Sequence, residues 1–127
     1  MAKVVRYCIN KETHVGDNVF LIHRPFIFSN PFTHIKSKKT KAKYVVATRD
    51  EAIDLYNDYF DEMLIYSKNF KEEYDKMYEA YKTYDTIYLG CYCSENESCH
   101  GDVIAEKLKK RSIKDMIKTI RKERQGT

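Results

Sequence analysis

The residues of this chain best suited to chemistry are crowded into one short segment. Three cysteines fall within nine residues, and the third is followed at once by a histidine, a glycine and an aspartate. The set comprises Cys91, Cys93, Cys99, His100, Gly101 and Asp102. The apolar residues up to Cys93 predict a strand, and those after Gly101 predict a helix. The segment is therefore expected at the carboxyl end of a strand, where open α/β sheets bind ligands.

One interpretation of this segment is a reactive or ligand-contacting cysteine–histidine site. A thiolate at a helix N-terminus is stabilised by the helix dipole, so we expect Cys99 to have a lowered pKa and to act as a nucleophile. His100 is then its acid or base, or a phosphate contact. Asp102 can orient His100 or accept hydrogen bonds from a ribose, and the N–H groups of the first turn at Gly101 favour an anion.

Two further interpretations of the same residues stay open. Cys91, Cys93, Cys99 and His100 have the ligand types of a three-cysteine, one-histidine zinc site. Their spacing argues against it, because a cysteine and a histidine that are adjacent in sequence rarely turn to one ion. Alternatively, Cys91 and Cys93 are small buried hydrophobic residues, and Cys99 and His100 only begin a helix. No cofactor is expected on the first and third interpretations, and zinc is expected on the second.

A second group of polar residues follows an earlier predicted strand. Arg24 can bind a carboxylate or phosphate in a bidentate manner, and Asn30 offers both donors and acceptors to a sugar or a base. If the first two strands neighbour the cysteine strand, Arg24, Asn30 and His100 can converge on one pocket. The alternative is that Arg24 pairs with a surface acid and Asn30 only shapes the turn before Pro31.

The elements that must position these residues follow from hydrophobic periodicity and capping signals. Strands are predicted over residues 4–9, 19–22 and 87–93, and in the last of these the side chains of Cys91 and Cys93 point to the same side. Thr48 and Glu51 form a capping box that begins a helix. Further helices are predicted over residues 70–81, 101–110 and 112–124, the last capped by Ser112. Strands separated by helices favour an α/β fold with a mainly parallel sheet.

Composition and charge limit the class of protein. The chain has 127 residues, of which 43% are hydrophobic and 33% are charged, so we expect one domain with a buried core, spanning residues 1–127. The sequence has neither an apolar run of membrane-spanning length nor the apolar region of a secretory signal at its start. We therefore expect a cytoplasmic protein with reduced thiols and no membrane partner.

Charge is unevenly distributed along the chain. Residues 50–79 contain ten acidic and three basic residues, whereas residues 107–124 contain nine basic and two acidic ones. A second basic run lies in a predicted loop at residues 36–43. Such segments can attract a phosphate-bearing partner, including nucleic acid, although a solvated helix face and a solvated tail would have the same composition.

The order of these motifs resembles that of a known domain family. Arg24-Pro25, Asn30-Pro31-Phe32, the capped helix, the Cys-x-Cys strand and Cys99-His100-Gly101-Asp102 follow one another in the sequence. This arrangement is similar to an uncharacterised family, a domain of unknown function common in bacteriophages, bacteria and some large viruses. The resemblance covers about residues 4–110 and implies a small three-layer Rossmann-like fold linked to nucleotide or nucleic-acid processing.

The chain departs from the family pattern in three respects. His23 stands where a glycine is usual, and Phe28-Ser29 stands where Trp-Gly is usual. Both changes alter the expected wall of the pocket. The lysine-rich run and the basic C-terminal helix at residues 112–124 resemble additions to the family core.

The leading hypothesis is thus a protein of phage or viral origin that binds, and can process, a phosphate-bearing nucleotide. The expected ligand-binding residues are Arg24, Asn30, Cys91, Cys93 and Gly101. The expected catalytic residues are Cys99, His100 and Asp102. The alternatives are a binding module without chemistry, which sequesters a nucleotide or binds nucleic acid through its basic segments, and a zinc-stabilised interaction domain.

Overall fold

The structure of the chain is a computed structural model that describes residues 2–33, 44–93 and 97–125. The described elements are β1 (Lys3–Cys8), β2 (Val19–Leu21), β3 (Phe32–Thr33), β4 (Tyr44–Val45), α1 (Arg49–Tyr66), α2 (Lys68–Thr83), β5 (Thr86–Cys91) and α3 (His100–Gln125). The predicted α/β class is confirmed. The basic run at residues 36–43 lies outside the described residues.

The three predicted strands form one parallel sheet in the order β1–β5–β2. Strand β5 takes the central position because it can be buried on both faces, and Ile87 and Leu89 are completely buried. Parallel pairing brings the carboxyl ends of all three strands to one edge, where Cys8 lies opposite Cys91 and Leu21 opposite Gly90. A second parallel pair, β3 and β4, was not predicted, since strands of two residues carry no readable periodicity.

The capping signals between the strands act as predicted. The Thr48 hydroxyl accepts a hydrogen bond from the Glu51 N–H at 3.1 Å, and the Glu51 carboxylate accepts one from the Ala47 N–H at 3.3 Å. Helix α2 starts at Lys68, before the predicted residues 70–81, and its N-cap Ser67, whose hydroxyl accepts from the Phe70 N–H, was not predicted. Helices α1 and α2 together bury a set of large side chains that fill much of the core: Tyr56, Phe60, Phe70, Tyr74, Met77 and Tyr78.

The C-terminal part of the chain corrects one prediction. The helices expected at residues 101–110 and 112–124 are a single helix of 26 residues, α3, and Ser112 is buried inside it instead of capping a new one. The reason is that residues 102–125 contain no glycine or proline, so nothing interrupts the helical hydrogen bonding. Beyond Ser112 the helix extends into solvent with these apolar side chains exposed: Ile113, Met116, Ile117 and Ile120.

Each helix in the described part of the chain is too short or too polar to cross a membrane. The fold brings the cysteine segment to the carboxyl edge of the β1–β5–β2 sheet, as the sequence predicts. Helix α3 begins at this edge with His100.

Candidate functional site

The three clustered cysteines meet at the carboxyl end of β5. Cys91 is the last residue of the strand, Cys93 lies two residues further on, and Cys99 directly precedes α3. Their Sγ atoms all lie within 4.8 Å of one another, and those of Cys91 and Cys99 are 3.7 Å apart. Cys91 and Cys99 are each only 1% exposed, whereas Cys93 is half-buried. We refer to these three residues as the thiol trio; all four cysteines of the chain have free thiols.

Cys99 also begins helix α3. Its Sγ accepts a hydrogen bond from the Gly101 N–H at 3.4 Å, while its own N–H donates to the Asp102 carboxylate at 3.3 Å. These two contacts satisfy backbone donors of the first turn, as capping residues do. The Gly101 N–H, which was expected to face an anion, is thus directed at a sulfur of the trio.

His100 is buried beneath this turn. Its Nε2 lies 2.7 Å from the carbonyl oxygen of Ile22, and because a carbonyl can only accept, Nε2 carries the hydrogen. The second ring nitrogen, Nδ1, is therefore unprotonated in the neutral ring and lies 3.7 Å from Sγ of Cys99. Burial lowers the pKa of His100 below its usual value, which keeps the imidazole neutral. Asp102 does not orient this ring, since its carboxylate contacts the Cys99 N–H and Arg6.

The thiols of the trio differ in acidity. Hydrogen bonds donated by Cys91 and Cys99 lower the pKa of Cys93, and the guanidinium of Arg49 adds to this effect. The pKa of Cys99 is raised, because its own S–H donates to Cys91 and Cys93 and because it is buried. The expectation that Cys99 has a lowered pKa is therefore wrong, and the reason is that hydrogen bonding and burial outweigh the helix terminus. The favourable position for a thiolate is Cys93.

Two arginines contact the described residues on either side of Cys99. Arg49, the first residue of α1, places Nη1 3.7 Å from Sγ of Cys93 and 3.2 Å from the carbonyl of Ser98, and pairs through Nη2 with Glu97 at 2.8 Å. Arg6, from β1, donates to the Glu97 carbonyl at 2.8 Å and lies 3.6 Å from Asp102. Neither arginine was predicted to belong to the site, because strand and helix positions alone do not reveal which edge a long side chain reaches.

The Arg24 group is built differently from the expected pocket. Arg24 donates to the carbonyls of Asn30 and Phe32 at 2.9 and 3.2 Å. The Asn30 side chain donates to the carbonyl of Ala52 at 3.1 Å and accepts from the Phe32 N–H at 2.9 Å. Asn30 is 7% exposed, and its amide makes these hydrogen bonds to backbone groups. This agrees with the alternative interpretation, in which Asn30 shapes the turn before Pro31. Arg24 still faces the trio closely enough to interact with the charge of Cys93.

Three aromatic rings line the outer side of the same edge: His23, which was expected in the pocket wall, and Phe26 and Tyr92, which were not predicted to belong to the site. The ring of His23, just beyond β2, packs edge-on against Phe26 and Tyr92 with centroid separations of 4.9 and 4.8 Å. Phe26 is 44% exposed and Tyr92 is 58% exposed. The Nδ1 atom of His23 is buried without a hydrogen-bond partner among the described residues. The position of Tyr92 could have been predicted from the alternation of side chains along the strand, which turns Tyr92 away from Cys91 and Cys93.

Comparison with known proteins adds one match. The family described as Domain of unknown function (DUF4326) matches residues 5–110, which include most of β1, the thiol trio, both arginines and the start of α3. No curated protein and no solved structure matches the chain. The expected resemblance to a domain of unknown function over about residues 4–110 is confirmed. The part of α3 that extends into solvent lies beyond the matched residues.

Proposed function

The chain belongs to the DUF4326 family of domains of unknown function, and we propose that the carboxyl edge of its sheet binds a phosphate-bearing nucleotide. The observation that carries this proposal is the pairing of exposed aromatic rings with arginines at one edge. Phe26 and Tyr92 are the exposed rings, and Arg49 is the arginine that reaches the segment beside Tyr92. Flat rings and guanidinium groups together are the usual means by which proteins bind bases and phosphates.

The base would stack on the aromatic edge. Phe26 and Tyr92 flank His23, so the three rings form a contiguous apolar surface that ends in solvent. A contiguous patch of exposed apolar surface is a common feature of ligand-binding sites. A stacked base contributes about 1–3 kcal/mol, as measured by alanine substitution in other proteins.

The phosphate would bind at Arg49. Its guanidinium is partly exposed and pairs with the carboxylate of Glu97, which is itself exposed. An exposed ion pair of this kind contributes only about 0–1 kcal/mol, so a phosphate can replace the carboxylate at little cost. Arg24 adds positive charge near Cys93 while its donors hold the turn at Asn30.

The proposal assigns binding and no chemical step. The catalytic roles expected for Cys99, His100 and Asp102 remain predictions: Cys99 is almost fully buried, and the Asp102 carboxylate caps the helix that Cys99 begins. The thiol nearest to Arg49 is Cys93. A covalent reaction at this edge would therefore be tested first at Cys93.

The proposal is tested by titrating the purified chain with fluorescently labelled mononucleotides and with the matching nucleosides. We expect the nucleotides to bind and the nucleosides to bind more weakly. The Tyr92→Ala variant should lose about tenfold in affinity, given the usual contribution of one stacked base. The control is Tyr66→Ala, since Tyr66 is 80% exposed on α1, far along the chain from this edge. Wild-type affinity in Tyr92→Ala, or no nucleotide binding at all, would refute the proposal.

A second candidate function is nucleic-acid binding through α3. The observation that favours it is the charge of residues 107–124, nine basic against two acidic, on a helix whose last turns are exposed. Binding through several phosphates would weaken steeply with salt, whereas a single nucleotide site would respond far less. Replacing Lys118 and Lys122 by glutamate should weaken the binding of a single-stranded oligonucleotide only, and leave the mononucleotide titration unchanged.

A further inference from the structure

We infer that the thiol trio and Nδ1 of His100 form a four-coordinate site for a thiophilic divalent cation such as Zn²⁺. The inference rests on the convergence of three sulfurs and one unprotonated ring nitrogen at the junction of β5 and α3. It uses other donor atoms than the nucleotide proposal and shares only Arg49 with it, and its test measures metal content instead of nucleotide binding.

Two separations between the donor atoms match the edges of a tetrahedron. With Zn–S distances of about 2.3 Å and Zn–N distances of about 2.0 Å, the edges of a tetrahedral site are about 3.8 Å between sulfurs and about 3.5 Å between sulfur and nitrogen. The Cys91 and Cys99 sulfurs are 3.7 Å apart, and the Cys99 sulfur is 3.7 Å from Nδ1 of His100. Cys93 completes the set, since all three sulfurs lie within 4.8 Å of one another. Nδ1 of His100 is not within 4.8 Å of all three sulfurs, so the ring and the trio must move closer together to hold one ion with four donors.

The histidine is oriented as a metal ligand requires. A ligating imidazole usually donates its remaining N–H to a carboxylate or to a backbone carbonyl, which fixes the tautomer and the ring plane. His100 does this with the carbonyl of Ile22 at 2.7 Å. The ring needs no deprotonation and no rotation to present its lone pair beside Cys99.

The adjacency of Cys99 and His100 is not an obstacle in this fold. Cys99 precedes the first helical residue, so its backbone is not helical, whereas His100 is the first residue of α3. The change of backbone direction between them turns both side chains to the same side, as the 3.7 Å separation shows. Adjacent residues would diverge from one ion only if a regular element ran through both of them.

Charge at the site also suits a metal thiolate. Zn²⁺ binds the three sulfurs as thiolates, so each thiol that is still protonated releases its proton to solvent, while the neutral imidazole donates its lone pair without losing a proton. The product carries one net negative charge. Arg49, with Nη1 3.7 Å from Sγ of Cys93, lies where it would compensate that charge.

Disulfide formation and simple burial each account for fewer features of the cluster. A disulfide between Cys91 and Cys99 would use two of the three sulfurs and give no role to the oriented imidazole. Plain burial of small hydrophobic residues explains Cys91 and Cys99 but not the half-buried Cys93 or the direction of Nδ1. The metal site uses all four groups.

The test is the metal content of the full-length chain, purified under reducing conditions without a chelator. We expect one zinc per chain by elemental mass spectrometry. Replacement by Co²⁺ should give thiolate-to-cobalt charge-transfer absorption and the intense visible bands of a tetrahedral ion. Wild-type protein that holds no zinc, takes up no added zinc and gives no such cobalt spectrum would overturn the inference.

Variants assign the ligands. Cys93→Ser should lose stoichiometric metal, whereas the matched control Cys8→Ser should keep it, because Cys8 lies outside the trio with its sulfur against the Tyr92 carbonyl. His100→Cys should retain the ion and strengthen the charge-transfer absorption, since a fourth thiolate replaces the nitrogen. Equal metal content in Cys8→Ser and Cys93→Ser would contradict the assignment. If Cys93→Ser fails to fold, the wild-type cobalt spectrum and the response of His100→Cys decide the matter.

Discussion

The imidazole of His100 donates its Nε2–H to the carbonyl of Ile22 at 2.7 Å, and this contact joins the first residue of α3 to the end of β2. The Ile22 N–H in turn donates to the carbonyl of Gly90 in β5. The start of the last helix is therefore hydrogen-bonded, through one residue, to the central strand of the sheet. The same contact fixes the tautomer that turns Nδ1 toward the thiol trio.

Loss of this contact should destabilise the protein even when no metal is present. In His100→Leu the buried Ile22 carbonyl keeps no side-chain donor, and we expect a loss of about 1–3 kcal/mol in the free energy of unfolding. His100→Gln retains an N–H donor of similar reach and should lose less. Urea unfolding in the presence of a chelator gives the free energy of unfolding of both variants and of the wild type. Equal losses in the two variants would show that the hydrogen bond does not carry the effect.

Asn30 should behave as a structural residue. Its side chain joins the Phe32 N–H to the Ala52 carbonyl, so Asn30→Ala removes two hydrogen bonds from a buried position. We expect a loss of about 2 kcal/mol, at about 1 kcal/mol for each bond. The control is Asn57→Ala on the exposed face of α1, which should change the stability by less than about 0.5 kcal/mol. A stable Asn30→Ala that binds nucleotide more weakly would instead favour the ligand role first expected for this residue.

Gly90 should tolerate no side chain. A Cβ atom there would lie 2.8 Å from the Tyr7 hydroxyl oxygen and 2.9 Å from the ring carbon that bears it, as well as 2.9 Å from a Leu21 methyl. An aromatic ring in a packed layer cannot yield by that amount, so Gly90→Ala should cost about 1–3 kcal/mol through overpacking.

Gly101→Ala is the comparison for Gly90→Ala. The nearest atoms to a Cβ at Gly101 belong to flexible side chains, Cδ1 of Ile22 and Cδ of Arg6. Alanine also favours the helical backbone at this position. We expect Gly101→Ala to lose less stability than Gly90→Ala, as measured by the melting temperatures of the two variants. A lower melting temperature for Gly101→Ala would contradict the packing argument.

Alkaline pH should weaken the contact between α2 and α3. The Tyr78 hydroxyl donates to the Asp115 carboxylate at 2.5 Å, and burial together with that bond raises the pKa of Tyr78 to about 12. The folded state therefore holds this proton more tightly than the unfolded chain does. The Tyr78 hydroxyl therefore contributes its full stabilisation of the folded state below the usual tyrosine pKa of about 10. This contribution is lost as the pH rises toward 12.

The measurement is the difference in melting temperature between about pH 9 and about pH 11, on either side of the usual tyrosine pKa. Tyr78→Phe has no such proton to lose, so its difference should be smaller than that of the wild type. The control Tyr66→Phe removes a hydroxyl from the exposed end of α1 and should retain the wild-type difference. A Tyr78→Phe variant with the full wild-type difference would show that different groups cause the alkaline loss.

The local signals in the sequence were sufficient for the main sheet and for the start of the first helix. The apolar runs identified β1, β2 and β5, and the Thr48 capping box identified the start of α1, because periodicity and capping act between residues close in the chain. The same kind of signal failed at Ser112. A residue that can cap a helix is equally able to be buried within one, and only the packing of α3 against the rest of the fold separates the two outcomes.

The sequence also predicted that the clustered cysteines and His100 lie together at the end of a strand, but it did not predict that Arg6 and Arg49 reach them. Their relationships were decided by the tertiary structure. Parallel pairing of β1 and β2 with β5 brings Arg6 and the Ile22 carbonyl to the cysteine segment. There Arg6 contacts Glu97, 91 residues further along the chain, and the Ile22 carbonyl contacts His100, 78 residues further along. The tautomer of His100, the order of acidity in the thiol trio and the aromatic edge around Tyr92 all depend on these long-range contacts. No pattern of neighbouring residues contains that information, because the pairing of the strands decides which residues distant in sequence come into contact.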